Sequence, residues 1–517
     1  MLNLTPLLKA YATYRSSQLS RQNPIQSQRK TLHKLVQKAA QTEFGKQHGF
    51  QKIHSVEDYQ QAVPLRAYED FWKEFWEPRF PYLTDCTWPG TIDCFPVSSG
   101  TSSGTTKYIP YTKEMNASNA KAGLDVLVHH VTNRPKTKLL GGLNFMLGGS
   151  TVLKEEAPGI YSGDLSGISV KNLPWWIRPR YFPNEELALL SNWEEKIQRL
   201  AEESLTKDIR TISGVPSWML IFIDKLAELR PELPRKLSSY FPNLELVIHG
   251  GVNFTPYYEQ FQELLEGSHA ELREVYPASE GFIAVGDRGY GEGLRLLLDT
   301  EIFFEFIPVD ELDSPAPTRH WVGNIEEGVN YAIALTTCAG LWSYLIGDTV
   351  RFVDTKTPRL LITGRTSYSL SAFGEHLIAE EVEDAVHTAL TSVGLRVNDY
   401  CVGAIFPKQT GELGGHLYIM ELTDEHHSPE AASEVSKKID ERLCERNEDY
   451  EAHRAEGFGL KAPLVEFVPH GFFAAWMKSR GKLGGQNKVP RLVSRPELFD
   501  DLREFLASEP NAMKNSS

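Results

Sequence analysis

From about Thr91 onward, short β-rich runs alternate with helical stretches, and this alternation most narrows the folds open to the chain. Residues 244–249, 281–285, 302–308 and 331–337 are rich in β-branched and aromatic side chains, whereas 193–205 and 216–229 carry apolar residues at helical spacing. Strands and helices that take turns over so long a stretch predict a layered α/β body, because each has an apolar face that only another layer can cover. Ahead of it, residues 27–77 read as helices, with Leu32, Leu35, Val36 and Ala39 on one face.

A second texture begins after Leu361. Residues 379–390 place Val382, Ala385, Val386 and Leu390 on one helical face. Strands are expected at 400–406 and 416–422, a helix at 431–446 with Val435, Ile439 and Leu443 in line, and a last strand at 464–468. That order closes a small α/β unit of ordinary domain size. The expected division is a large N-terminal domain, 1–364, and a small C-terminal one, 365–517. No fixed-period repeat or low-complexity tract is present, which argues against solenoids and propellers.

Of the 517 residues, 41% are hydrophobic and 24% charged, which supports an ordinary folded core. Sixty-eight acidic residues against 54 basic leave a net charge of −14, so no nucleic-acid partner is expected. No apolar run approaches the roughly 18–20 residues needed to span a bilayer, and the N-terminus lacks a compact hydrophobic block. Neither a membrane partner nor a secretory leader is expected. Cys86, Cys94, Cys338, Cys401 and Cys444 are odd in number and form no C-x-x-C pair, which suits a reducing cytoplasm. A monomer or weak homodimer is expected.

The most informative stretch is Ser98-Ser99-Gly100-Thr101-Ser102-Ser103-Gly104-Thr105-Thr106-Lys107-Tyr108-Ile109-Pro110. Its backbone N–H groups can converge, hydroxyls back nearly every position, and Lys107 adds a point charge. Those are the parts that hold a polyphosphate. It is not a Walker A loop, since only three residues separate Gly100 from Gly104 and Lys107 lies beyond. A second run, Tyr276-Pro277-Ala278-Ser279-Glu280-Gly281, offers an aromatic ring to a purine and a carboxylate beside it. A bare carboxylate repels phosphates, so Glu280 makes sense there as a ligand of Mg²⁺. A third, Tyr344-Leu345-Ile346-Gly347-Asp348, carries a Gly-Asp pair that is a turn former in most proteins, or else a carboxylate for two ribose hydroxyls.

The first run resembles the phosphate-binding motif of adenylate-forming enzymes, the acyl-CoA synthetase and luciferase superfamily. More closely, the set resembles the auxin-responsive Gretchen Hagen family of acyl acid–amido synthetases, in its bacterial form. The Tyr-x-x-Ser-Glu and Tyr-x-x-Gly-Asp motifs of that family match Tyr276, Ser279 and Glu280, and Tyr344 and Asp348, in the expected order. Arg365, at the end of Leu361-Ile362-Thr363-Gly364-Arg365, matches the arginine that closes the large domain; the hinge is assigned only to the segment after it. Gln486-Asn487-Lys488-Val489-Pro490-Arg491 resembles the Gln-x-Lys-x-Pro-Arg loop, whose lysine serves adenylation, with Lys482 as the fallback. Gly250 and Gly251, after an apolar run, resemble the glycine turn beside the adenosine and acyl pockets, although close strand packing explains them equally well.

The resemblance implies the luciferase-like adenylate-forming fold, with a small mobile C-terminal domain. It implies ATP and Mg²⁺ as cofactors, a carboxylic acid as substrate, and an amine, in particular an amino acid, as acceptor. Ser98, Ser99, Gly100, Thr101, Ser102, Gly104, Thr105 and Thr106 would hold the phosphates with Lys107. Tyr276 and Ser279 would face the adenosine, Asp348 the ribose, Arg365 the ribose or phosphate, Glu280 the metal and Lys488 the reacting centre. The alternatives are a ligase that uses CoA or a carrier thiol, and a nucleotide-binding homologue without turnover. The histidine pairs His129-His130 and His426-His427 lack metal-site spacing, and no G-x-S-x-G elbow marks a hydrolase. Trp175 and Trp176 and the 213–218 segment read as packing before they read as an acyl pocket.

Overall fold

The structure, a computed structural model, describes residues 2–508 apart from 100–105, 149–152, 174, 176, 189, 191–192, 252–253, 255–256, 313, 367–368, 371–376, 407–413, 424–427, 429, 448–449, 452–453, 455–459, 482–487 and 494–495. The chain forms two compact units. The larger is Met1–Ile346 with Val350–Ile362, and the smaller is Gly347–Thr349 with Thr363–Ser517.

In the larger unit, the described strands make an eleven-stranded sheet. It begins with Ile302–Pro308, Asn330–Thr337, Tyr344–Asp354, Arg359–Arg365 and Leu294–Leu296. It continues through Gly281–Val285, Glu271–Ala278, Leu246–Gly250, Ile209–Gly214 and Leu143–Leu147 to Tyr181–Phe182. The end from Glu271–Ala278 to Tyr181–Phe182 is parallel, with crossovers such as the helix Pro216–Leu229 between Ile209–Gly214 and Leu246–Gly250. At Glu271–Ala278 the pairing turns antiparallel. The strands expected at 281–285, 302–308 and 331–337 are all present.

Helices cover this sheet. Pro24–Ala39 starts at an Asn23 cap and buries Leu32, Leu35, Val36 and Ala39, the face its periodicity marks. Lys113–Asn133 starts at Thr112, whose hydroxyl accepts from the Met115 N–H, and lays Ala122 and Val126 on Val275, Val285 and Leu297. The N-terminal helix Thr5–Ser20 docks through a buried arginine. Arg15 donates to both oxygens of Asp125 at 2.7 Å and to Asp299 at 2.8 and 2.9 Å. A separate small sheet pairs Thr106–Tyr108 with Cys94–Ser99, then Ile160–Gly163 and Lys154–Ala157.

The smaller unit has a four-stranded sheet ordered Leu464–Val468, Gly415–Leu422, Val397–Ile405, Leu492–Val493. Helices Ala379–Ser392 and Ala431–Arg446 cover the face bearing Tyr400, Val402 and Tyr418. The sequence reading stops one layer short here. Phe472–Ser479 and Pro496–Ser508 cover the opposite face through Phe473, Trp476, Phe499 and Leu502, which is why Gly415–Leu422 is buried along its whole length. Among the described residues, no helix is long and apolar enough to cross a membrane.

Replacing Arg15 with alanine strands Asp125, whose side chain is 0% exposed, as an unpaired buried charge. Urea denaturation of Arg15→Ala is expected to show a loss of ~3–5 kcal/mol. An unchanged midpoint would mean that the N-terminal helix does not depend on this clamp.

Candidate functional site

The two ends of the serine-rich run are neighbours in a hairpin. Ser99 lies opposite Thr106 and Ser98 opposite Lys107, so the residues that flank the run are brought side by side. Gly100, Thr101, Ser102, Gly104 and Thr105 lie outside the described residues. Lys107 is half-buried, with its Nζ 5.3 Å from the centre of the Tyr68 ring. Among the described residues no carboxylate stands within ion-pair distance of it. The Tyr68 hydroxyl accepts from the backbone N–H of Tyr108 at 2.9 Å, and burial pushes its phenol up.

Ser279 and Glu280 form the two-residue turn between the strands Glu271–Ala278 and Gly281–Val285, where Ala278 pairs with Gly281. That turn lifts the half-buried Glu280 out of the sheet. The Tyr344 hydroxyl donates to its carboxylate. Burial, then the Glu280 charge and this hydrogen bond, push the Tyr344 phenol far up, and Tyr68 and Glu69 are close enough to add to the effect. Lys107, Tyr68, Tyr344 and Glu280 are therefore linked, and the first tyrosine of the third motif touches the acid of the second. Tyr276 is 4% exposed and packs in the core, leaving little of its ring for a purine in this conformation.

Gly347-Asp348 does not make a hairpin turn. It lies inside the eleven-residue strand Tyr344–Asp354, where Gly347 takes a left-handed φ of +84°. That kink lets the Gly347 carbonyl accept from the Thr366 N–H at 2.7 Å, and Asp348 Oδ1 meets Arg365 Nε at 2.9 Å. Both residues of this ion pair belong to the smaller unit, as does Lys488, which is exposed. Gln486 and Lys482 lie outside the described residues. Three positions beyond Lys488, Arg491 is anchored: Nη1 is 3.0 Å from Glu383, Nε 3.8 Å from Asp399, and the guanidinium lies over the Tyr400 ring.

The glycine pair has a packing reason. A Cβ on Gly250 would sit 2.2 Å from the Val275 carbonyl oxygen, so the strands Leu246–Gly250 and Glu271–Ala278 approach there only through glycine. Beside it is a patch with no local sequence signal. His249 is buried, stacks on Phe254 at 3.6 Å, and burial drops its imidazole to about 3. Glu274 lies opposite it in register, and burial pushes its carboxyl up to about 7. Tyr258 and Tyr290 stack at 4.4 Å and adjoin Phe254.

Three family models match in series: the GH3 family N-terminal domain over residues 14–270, the central domain over 295–365 and the C-terminal domain over 380–497. The chain belongs to the GH3 family. It is 23% identical to the indole-3-acetic acid-amido synthetase GH3.3 of Arabidopsis thaliana, over 62% of this chain and 56% of that protein. It is 29% identical to the probable indole-3-acetic acid-amido synthetase GH3.9 of Oryza sativa subsp. japonica, over 45% of this chain and 56% of that protein. The chain thus spans about half the length of these curated relatives.

Among solved structures, the AtGH3.15 acyl acid amido synthetase in complex with 2,4-DB matches with a TM-score of 0.80 at 18% identity, covering 96% of each chain. A 2-hydroxyisobutyryl-CoA ligase in the postadenylation state, in complex with 2-HIB-AMP, matches at 0.61 and 15% identity, covering 93% of this chain and 91% of that one. These likenesses show that the GH3 chain has the α/β fold of adenylate-forming enzymes.

Glu274 gives this GH3 site a pH signature. Its folded pKa, about 7, lies above the ordinary 4.5, so the native state holds a proton that the unfolded state releases. Stability therefore falls as pH rises from about 4.5 to 7 and levels off above. Glu274→Gln, neutral throughout, is expected to match the wild type at pH 4 and exceed it by on the order of 2–3 kcal/mol at pH 8. Denaturation at the two pH values checks this; an equal offset at both would exclude the titration.

Proposed function

We propose that this chain is an ATP-dependent acyl-adenylating ligase that makes an acyl-AMP from a carboxylic acid and passes the acyl group to an amine, in particular that of an amino acid. The observation that carries the reading is the Tyr344–Glu280 hydrogen bond, which joins two of the motifs at one point. Lys107 adjoins that point through Tyr68, at the foot of the hydroxyl-rich loop. Family membership and the shared fold support it.

In the first half-reaction a substrate carboxylate oxygen attacks the α-phosphorus of ATP, and the bond to the β-phosphate oxygen breaks, releasing pyrophosphate. The loop from Ser98 to Thr106, with Lys107, holds the β- and γ-phosphates. Glu280, a half-buried carboxylate oriented by a neutral donor, fits Mg²⁺, which takes one or two protein carboxylates together with phosphate oxygens. Bound there, the ion would offset the negative charge of the phosphates. Ser279 backs the adenosine, with the core-packed Tyr276 supporting the strand behind it and Gly250 and Gly251 at its acyl side, and Asp348, steadied by Arg365, takes the ribose hydroxyls. Lys488 supplies positive charge to the pentavalent α-phosphate, where the transition state gathers negative charge.

In the second half-reaction the neutral amine attacks the acyl carbon. The acyl–phosphate bond breaks, AMP leaves, and the amine proton passes to solvent or base. In this reading the phosphate and metal ligands, Ser98 to Lys107 and Glu280, belong to the larger unit, and the ribose ligand Asp348, Arg365 and the lysine loop belong to the smaller one.

The test supplies ATP, a panel of carboxylic acids and hydroxylamine. Acid-dependent pyrophosphate release is expected, and none with any acid would leave a nucleotide binder. Amino acids offered against CoA, with the product weighed by mass spectrometry, are expected to give the amide; a thioester would reassign the acceptor. Lys488→Ala is expected to lower adenylation about 10²–10³-fold while still aminolysing supplied acyl-adenylate. Equal loss in both half-reactions would remove Lys488 from its role.

A further inference from the structure

Tyr68 stands in a segment, Tyr68-Glu69-Asp70-Phe71-Trp72, with no binding motif, yet it touches the reactive cluster in three ways. Its ring faces the Lys107 ammonium at 5.3 Å. Its hydroxyl accepts the Tyr108 N–H at 2.9 Å, fixing the strand that carries Lys107. It also lies within electrostatic reach of Tyr344, the donor to Glu280. The ring itself is immobilised, stacked on Trp72 at 5.8 Å and tilted against Trp76 at 5.7 Å.

We propose that Tyr68 is the positioning residue for Lys107, holding its ammonium at the foot of the phosphate loop by an aromatic face instead of a carboxylate. The choice of partner matters. A carboxylate would fix the lysine equally well and cancel its charge, whereas a ring quadrupole attracts the cation and leaves the charge for a phosphate. The backbone hydrogen bond does the second half of the work: it sets the height of Thr106–Tyr108 against the Tyr68 helix turn, and so the reach of Lys107. Tyr68 itself touches no reacting atom and acts through Lys107.

The proposal rests on the ligase reading, and the experiment separates the two. Steady-state adenylation, and equilibrium titration with Mg·ATP, are measured for the wild type, Tyr68→Phe, Tyr68→Leu, Lys107→Ala and the double variants. Tyr68→Leu is expected to raise the KM for Mg·ATP about tenfold while the KM for the acid moves less than about twofold. Tyr68→Phe, which keeps the ring, is expected to recover to within about threefold of wild type. In the Lys107→Ala background, Tyr68→Leu is expected to add less than about twofold, because the partner it acts through is gone.

Effects that multiply in the double variant, or that raise both KM values alike, would overturn the positioning role. Should Tyr68→Leu not fold, as judged by circular dichroism, the Tyr68→Phe and Lys107→Ala cycle decides by the same criterion. A wild type that binds Mg·ATP but releases no pyrophosphate overturns the ligase reading, and Tyr68 is then decided by the ratio of Kd values. No Mg·ATP binding by the wild type overturns both.

Discussion

A phenol buried beside a carboxylate is costly unless each satisfies the other, and Tyr344 and Glu280 do so in the larger unit. Tyr344 is 1% exposed, so water cannot take its proton and the hydroxyl is committed as a donor. Its backbone is fixed too: the Arg66 N–H donates to the Ser343 carbonyl, and the Leu345 N–H donates to the Arg66 carbonyl at 2.9 Å. The Arg66 guanidinium in turn lies among Phe44, Phe71 and Phe75. Under the proposed function, an acid that serves a metal has to be held by something that neither neutralises nor repels it. A buried tyrosine held at both ends meets that requirement, and it starts the strand that continues into Gly347-Asp348.

The same economy of charge explains how a chain of net charge −14 can be suited to a polyanion. Arginines in and beside the core are held by carboxylates: Arg15 by Asp125, Arg319 by Glu305, Arg359 by Asp287. These pairs hold the scaffold and project little field, since each is compensated at contact distance. Lys107 is treated differently, resting on a ring. What a phosphate meets is set by which cations lack a contact anion, and that is independent of the total over 517 residues.

The periodic features were the legible ones. The helix Ala431–Arg446 and the strand Leu464–Val468 stand where pattern alone places them, because one buried face repeats at a fixed interval. The second covering layer of the smaller unit escaped that reading: Phe472–Ser479 is eight residues long, too short for its period to speak. Glu280 and Asp348 stand out in the sequence as motif residues. The Gly-Asp pair was ambiguous, because a left-handed glycine serves a kinked strand as well as a turn. Tyr68 was invisible for a different reason. It reads as one more aromatic in a run that also fills the core with Phe71, Phe75 and Trp76, and only the fold shows which ring lies under the lysine. The His249–Glu274 pair likewise depends on strand register across 25 positions of sequence, which no local pattern encodes.

The Lys488 loop shows how a short segment can present a cation without burying it. Its root is Arg491, 13% exposed, gripped by Glu383 and stacked on Tyr400. Pro490 stiffens the link by fixing its own φ. Partial burial of Asp399 favours its neutral form and lifts its carboxyl to about 6 against the opposing pull of Arg491. Near neutral pH Asp399 is therefore largely ionised, and Arg491 stands between two carboxylates that compensate it. The anchor's charge is compensated within the smaller unit, and Lys488 is exposed three residues away.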